Sequence, residues 1–176
     1  MNPPSTILAL ASRQIWPHVL TVLHYRPRRL VLLHSEDGQE SRLPAKRLKR
    51  FFEKVPVVPR PFVQLQMLSH SEFTAIEEQL DRISIEPAEL EDAALNFTGG
   101  NKLMATAAFR WASRKNLRAF YLERGNVITW FTPEAGNIQT FQEKLDPART
   151  DSLDPLALLR CQMDSSEVER EGERLT

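Results

Sequence analysis

Apolar residues along this chain alternate between short unbroken runs and runs spaced three or four apart. Residues 5–11 form the first unbroken run, which reads as a buried strand. Ile15, Val19, Val22 and Leu23 then recur at helical spacing, with Pro17 tolerated in the first turn and Arg26-Pro27-Arg28 ending the helix. Residues 29–34 predict a second buried strand, 35–38 a polar loop, and 44–55 a helix whose apolar stripe is Leu48, Phe51 and Phe52. An extended connector through Pro56, Pro59 and Pro61 leads to a third strand over 62–68. An acidic helix over 71–83 turns Phe73, Ile76 and Leu80 inward, and a fourth strand covers 93–97. The turn Thr98-Gly99-Gly100 opens into a helix over 102–113, apolar at Leu103, Met104, Ala107, Ala108 and Trp111. Segments 117–123 and 126–132 flank Arg124-Gly125 as a hairpin, and 138–141 adds a further strand.

Buried strands alternating with helices imply an α/β fold. It is expected to be a Rossmann-like, mostly parallel sheet with helices on both faces and an antiparallel edge hairpin. The pattern changes after residue 145, where a small apolar patch at 156–159 is followed by a stretch, 164–176, with five acids and two arginines. Residues 1–145 are therefore expected to form one domain, and 146–176 a short extension or linker.

Composition narrows the function class. With 41% hydrophobic and 26% charged residues, the chain has the make-up of an ordinary globular domain. The longest apolar run is five residues, where a spanning helix needs about 20. The amino terminus lacks the basic region of a secretory signal. The single cysteine, Cys161, excludes an intrachain disulfide and a cysteine-rich zinc site, and is expected to be inert. A cytoplasmic location, away from membranes, follows as an expectation. The four histidines show no metal-ligand spacing, so no metal and no cofactor are expected.

The 23 basic and 23 acidic side chains balance overall but are segregated. Residues 26–54 carry nine cations against four acids, and 101–124 six against one, while 67–95 carry eight acids and one arginine. A neutral chain with local basic segments suits a small anionic ligand better than duplex nucleic acid. Solvated helix faces would produce the same pattern.

Ligands of such sheets bind at the carboxyl ends of the strands. That points to Ser12, Arg13 and Gln14 after the first strand, His34 and Ser35 after the second, and Thr98, Gly99, Gly100, Asn101 and Lys102 after the fourth. The last segment carries the sharpest signal. Two glycines admit close backbone approach, and the helix that follows offers free N–H groups to an anion. Lys102 sits in that helix's first turn, where the dipole disfavours a cation by ~0.3–1 kcal/mol. A bound phosphate would account for it. The spacing fits neither the Walker A loop nor the dinucleotide fingerprint.

The stretch from Asn96 through Thr98, Gly99, Gly100, Asn101 and Lys102 to Met104 resembles the N-x-T-G-G-T-K-x-M signature of CARF domains, the CRISPR-associated Rossmann-fold sensors. The likeness is greatest to the sensor half of type III CRISPR ancillary nucleases and covers roughly residues 5–145. Asn101 departs from the usual threonine but keeps a polar side chain. The resemblance implies binding of a cyclic oligoadenylate, with cyclic tetra-adenylate favoured, across a homodimer. It implies a role as second-messenger sensor in antiviral defence, acting on a fused or separate effector. It also adds Asn96 to the candidate site. Trp16 is assigned to helix packing ahead of base stacking, and Trp111 to the core or a dimer interface ahead of ligand contact. The small residues Ala105, Ala107 and Ala108 suggest close helix approach between two copies. Two other readings stay open: a metal-independent ring nuclease that cleaves the same ligand, and a protein-interaction domain. No general base stands beside the glycine turn, which ranks the nuclease second.

Overall fold

A computed structural model of the chain describes residues 2–54, 60–83, 85–134, 136–151 and 161. The connector at Pro56 and Pro59, the apolar patch at 156–159 and the acidic end at 164–176 lie outside the described residues.

Seven strands form one sheet in the order β3-β2-β1-β4-β5-β6-β7. β1 (Thr6–Leu10), β2 (Arg29–His34), β3 (Phe62–Met67), β4 (Ala93–Asn96) and β5 (Arg118–Glu123) run parallel. β6 (Val127–Glu134) and β7 (Asn137–Lys144) add an antiparallel edge. The mostly parallel sheet with an antiparallel edge is the expected fold class. All of β1 and β4 is buried, as for strands covered on both faces, whereas the edge strand β7 is largely exposed.

One face packs α1 (Trp16–Tyr25) and α2 (Leu43–Lys54) against Ile7, Ala9, Leu30 and Leu32. The other packs α3 (Phe73–Asp81) and α5 (Lys102–Arg114) against Leu8, Leu10, Val31, Leu33 and Leu95. Each such fully buried side chain contributes ~1.5–3 kcal/mol. Four features depart from the sequence pattern. A π-helical turn, Gly38–Arg42, fills the stretch between the expected polar loop and α2, and the Asp37 carboxylate caps it by accepting the N–H groups of Gln39 and Glu40, both at 3.1 Å. A short helix, α4 (Pro87–Glu91), precedes β4, and another, α6 (Pro147–Thr150), follows β7. β7 is also longer than the pattern suggested. It is anchored by Glu143, which accepts from Trp130 Nε1 at 2.6 Å and from the Tyr25 hydroxyl, so α1, β6 and β7 share one buried polar cluster.

Charge segregation has a structural cause. The acidic α3 lies beside the basic α5. Glu77 accepts from Arg110 at 2.8 Å and lies 3.5 Å from Arg114, and Asp81 accepts from Lys115 at 2.8 Å. The Arg110 guanidinium holds the Glu77 carboxyl below its usual range. Trp111 is core, 2% exposed, with its indole N–H donating to Asp81 at 3.0 Å. Ala107 and Ala108 are fully buried within the same core cluster as the sheet's side chains. That use leaves little of the small-residue stripe for helix approach between copies.

Candidate functional site

The chain runs from β1 outward through β2 to β3, then returns to place β4 on the other side of β1. Strand order therefore reverses between β1 and β4, and the loops at their carboxyl ends define a crevice where ligands of this architecture bind. The loops singled out from the sequence after β1 and β4 meet there.

The β4–α5 turn is built against the end of β1. A Cβ on Gly99 would stand 1.9 Å from the Leu10 carbonyl oxygen and 3.0 Å from Ser12 Oγ. No side chain fits at that distance, so glycine is required by close approach alone. Gly100 follows with φ +77°, the left-handed region that glycine enters without strain. Asn101 then caps α5: its Oδ1 accepts the Met104 N–H at 2.8 Å, while its Nδ2 donates to the His70 carbonyl at 2.9 Å. Threonine can cap a helix as asparagine does. The departure at Asn101 thus keeps the cap and adds a tie to the loop before α3. Lys102 opens α5 exposed, with no acid in the first turn and no ion pair among the described residues. The cations Arg110, Arg114, Lys115 and Arg118 of the same basic segment do have acidic partners.

Asn96 and Thr98 hold the turn from beneath. Asn96 is fully buried, and its Oδ1 accepts both the N–H and the hydroxyl of Thr98, at 3.1 and 2.6 Å. Its Nδ2 donates to Thr21 Oγ1 at 3.3 Å, linking β4 to α1. Thr98 Oγ1 in turn accepts the Leu122 N–H at 2.9 Å. These polar groups bond within the protein and fix the turn's shape.

On the other side of β1 the arrangement is looser. Ser12 is half-buried, and its hydroxyl reaches only the Gln14 carbonyl, at 3.5 Å. Arg13 and Gln14 are exposed, with Arg13 3.7 Å from Glu40 in a solvent-facing pair. Such a pair contributes ~0–1 kcal/mol and yields readily to a stronger anion. His34 and Ser35 lie below the rim, 8% and 3% exposed. His34 Nδ1 lies 3.0 Å from the Ser35 carbonyl oxygen. The Ser35 N–H donates to Ser41 Oγ at 3.0 Å, and that hydroxyl donates to the Ala11 carbonyl, also at 3.0 Å. Ser41 thereby ties the β2 loop to the end of β1. Sequence reading missed Ser41, Thr21 and His70, whose partners lie far along the chain and leave no local pattern.

Two further side chains belong to this edge. His18, in the first turn of α1, is completely buried, and neither ring nitrogen has a hydrogen-bond partner. Burial pushes its pKa down to about 4, so the ring is neutral at physiological pH. Trp16 is 39% exposed, with the rest of its surface covered. Cys161 is buried on the α2 side, with its thiol pushed up to about 12 by desolvation, as expected of an inert cysteine. Among the described residues there is no cluster of His, Cys, Asp and Glu able to hold a metal ion, and no helix long and apolar enough to cross a membrane.

Residues 6–146 match the family model of the Card1 CARF domain. No curated protein matches the chain in sequence. Among solved structures, the chain is similar to Can2 from Sulfobacillus thermosulfidooxidans in complex with cyclic tetra-adenylate, with 23% identity and a TM-score of 0.68 over 90% of this chain and 39% of that one. It is also similar to a type III CRISPR defence DNA nuclease activated by cyclic oligoadenylate, with 20% identity and a TM-score of 0.63 over 89% of this chain and 23% of that one. Protein VC1899 from Vibrio cholerae shares the fold at 14% identity and a TM-score of 0.63, over 80% of this chain and 36% of that one. The chain thus spans well under half the length of each of these structures, and the likeness is one of fold.

Proposed function

This chain belongs to the CARF family, in its Card1 form, and from that premise we propose that it senses a cyclic oligoadenylate in a type III CRISPR antiviral response. Cyclic tetra-adenylate is the favoured ring. The sensing unit is residues 1–145, acting as a homodimer that regulates an effector, with 146–176 as a short extension.

One observation carries this reading. At the strand-order reversal, a glycine turn pressed against β1 leads into the amino end of α5, where Lys102 stands without an acidic partner. The amide end of α5, its dipole and a full positive charge stand together at that turn, a combination that favours an anion. Gly99, Gly100, Asn101 and Lys102 cradle phosphate and ribose, and Ser12, Arg13 and Gln14 line the neighbouring edge. Asn96, Thr98, His34 and Ser35 position these loops from below. One copy of the turn is a small site for a ring with several phosphates. A two-fold axis doubles it and matches the symmetry of the ring. A surface for the second copy adjoins the turn. Phe97, Phe109 and Phe131 form a half-buried aromatic group, with the rings of Phe97 and Phe109 5.1 Å apart, and Tyr121 beside them is 40% exposed.

The test is incubation with cyclic tetra-adenylate followed by chromatography of the protein and of the recovered nucleotide. Intact ring co-eluting with the protein is the expected result. Linear products would identify a ring nuclease, and no co-elution would remove the ligand altogether.

A further inference from the structure

The chain has three tryptophans, and two are core residues: Trp111 is 2% exposed and Trp130 1%. Trp16 is 39% exposed. Among the described residues it has neither a ring contact nor a hydrogen-bond partner. A partly open indole offers one face for stacking when it stands beside a ligand crevice. Its place is informative. Trp16 opens α1 four residues beyond Ser12, at the same carboxyl edge of the sheet as the glycine turn.

The backbone there is held rigidly on both sides. Ile15 is 3% exposed and anchors in the core, and its carbonyl accepts the N–H groups of His18 and Val19 at 3.1 and 3.2 Å. Pro17 fixes φ at the following position. The indole thus stands on a preformed platform. The first turn of α1 carries no acid, so no carboxylate of its own helix competes with an anionic ligand there. A flat π-face at the same edge as the glycine turn fits a nucleotide, with the base over the ring.

We infer that Trp16 is a base-recognition residue of this site, stacking on an adenine of the cyclic oligoadenylate. The inference rests on the ligand proposed above and goes beyond it by assigning the base, where the glycine turn accounts only for phosphate and ribose. Stacking of a base on an aromatic side chain changes affinity by about 5- to 150-fold when the side chain is cut to alanine.

The experiment is a titration of the whole chain with cyclic tetra-adenylate, followed by intrinsic fluorescence and by calorimetry. Wild-type protein is expected to lose emission on binding, because the exposed indole meets the base. Trp16→Ala is expected to bind at least about fivefold more weakly, with circular dichroism confirming that the variant is folded at the titration temperature. Trp16→Phe is expected to keep most of the affinity while losing the emission change, a signature that a purely structural role would not produce. Wild-type binding with undiminished affinity in Trp16→Ala overturns the inference alone. An absence of binding heat in the wild type overturns the ligand reading and this inference with it.

Discussion

The two sides of β1 build the same crevice in different ways. On the β4 side, the polar side chains of Asn96, Thr98 and Asn101 are committed, bonding to four other segments, and Gly99 touches backbone. On the β1–α1 side, the Ser12 hydroxyl makes one long bond, Arg13 pairs with Glu40 at the surface, and α1 begins without a side-chain cap. The first side is shaped before any ligand arrives. The second presents exposed polar side chains and a partly open indole. A rigid cradle gives tight phosphate binding at low ordering cost, while adjustable groups opposite it set what else is accepted.

The largest effect tests the rigid side. Gly99→Val puts a branched side chain where even a Cβ meets the Leu10 carbonyl at 1.9 Å. The β4–α5 turn must move. Binding of cyclic tetra-adenylate is expected to be lost in calorimetry, with stability falling by about 3 kcal/mol or more in urea unfolding. A variant that binds normally would show that the turn is not the cradle.

His18 separates the two sides by pH. Its folded pKa of about 4 lies below the 6.5 of the unfolded chain, so unfolding takes up a proton between these values. Its contribution is complete above pH 6.5 and declines as pH falls toward 4, by about 3 kcal/mol in all. His18→Leu removes the unpartnered ring nitrogens. The stability difference between wild type and variant, from urea midpoints, should therefore shift steadily against the wild type across that window. A difference independent of pH would contradict the buried, neutral imidazole.

Lys102→Ala is expected to weaken ligand binding about 10- to 150-fold, the range for charge-assisted hydrogen bonds, with folding nearly unchanged. Unaltered affinity would take Lys102 out of the site. The smallest effect is at Asn101, where alanine removes the α5 cap and costs about 1 kcal/mol in thermal unfolding. Threonine at that position should restore the cap but not the bond to the His70 carbonyl.

The difference between the two sides also explains what the sequence could reveal. Strands buried on both faces write themselves as unbroken apolar runs, so β1 and β2 were placed within a residue or so of their observed ends. The glycine turn was legible because close approach and positive φ both demand glycine. The supporting bonds were not. Ser41 reaches back 30 residues to Ala11, and Asn96 reaches 75 to Thr21, and no local spacing records such contacts. The partial exposure of Trp16 was not legible either. The residue borders the apolar stripe of α1, and periodicity cannot tell a buried position at that border from one left open at a ligand edge.

The central claim is that two copies of the glycine turn enclose one cyclic oligoadenylate. Calorimetric stoichiometry, with the mass of the complex from light scattering, tests it most directly. The account predicts one cyclic tetra-adenylate per two chains in a dimer. One ligand per chain in a monomeric sample would contradict it.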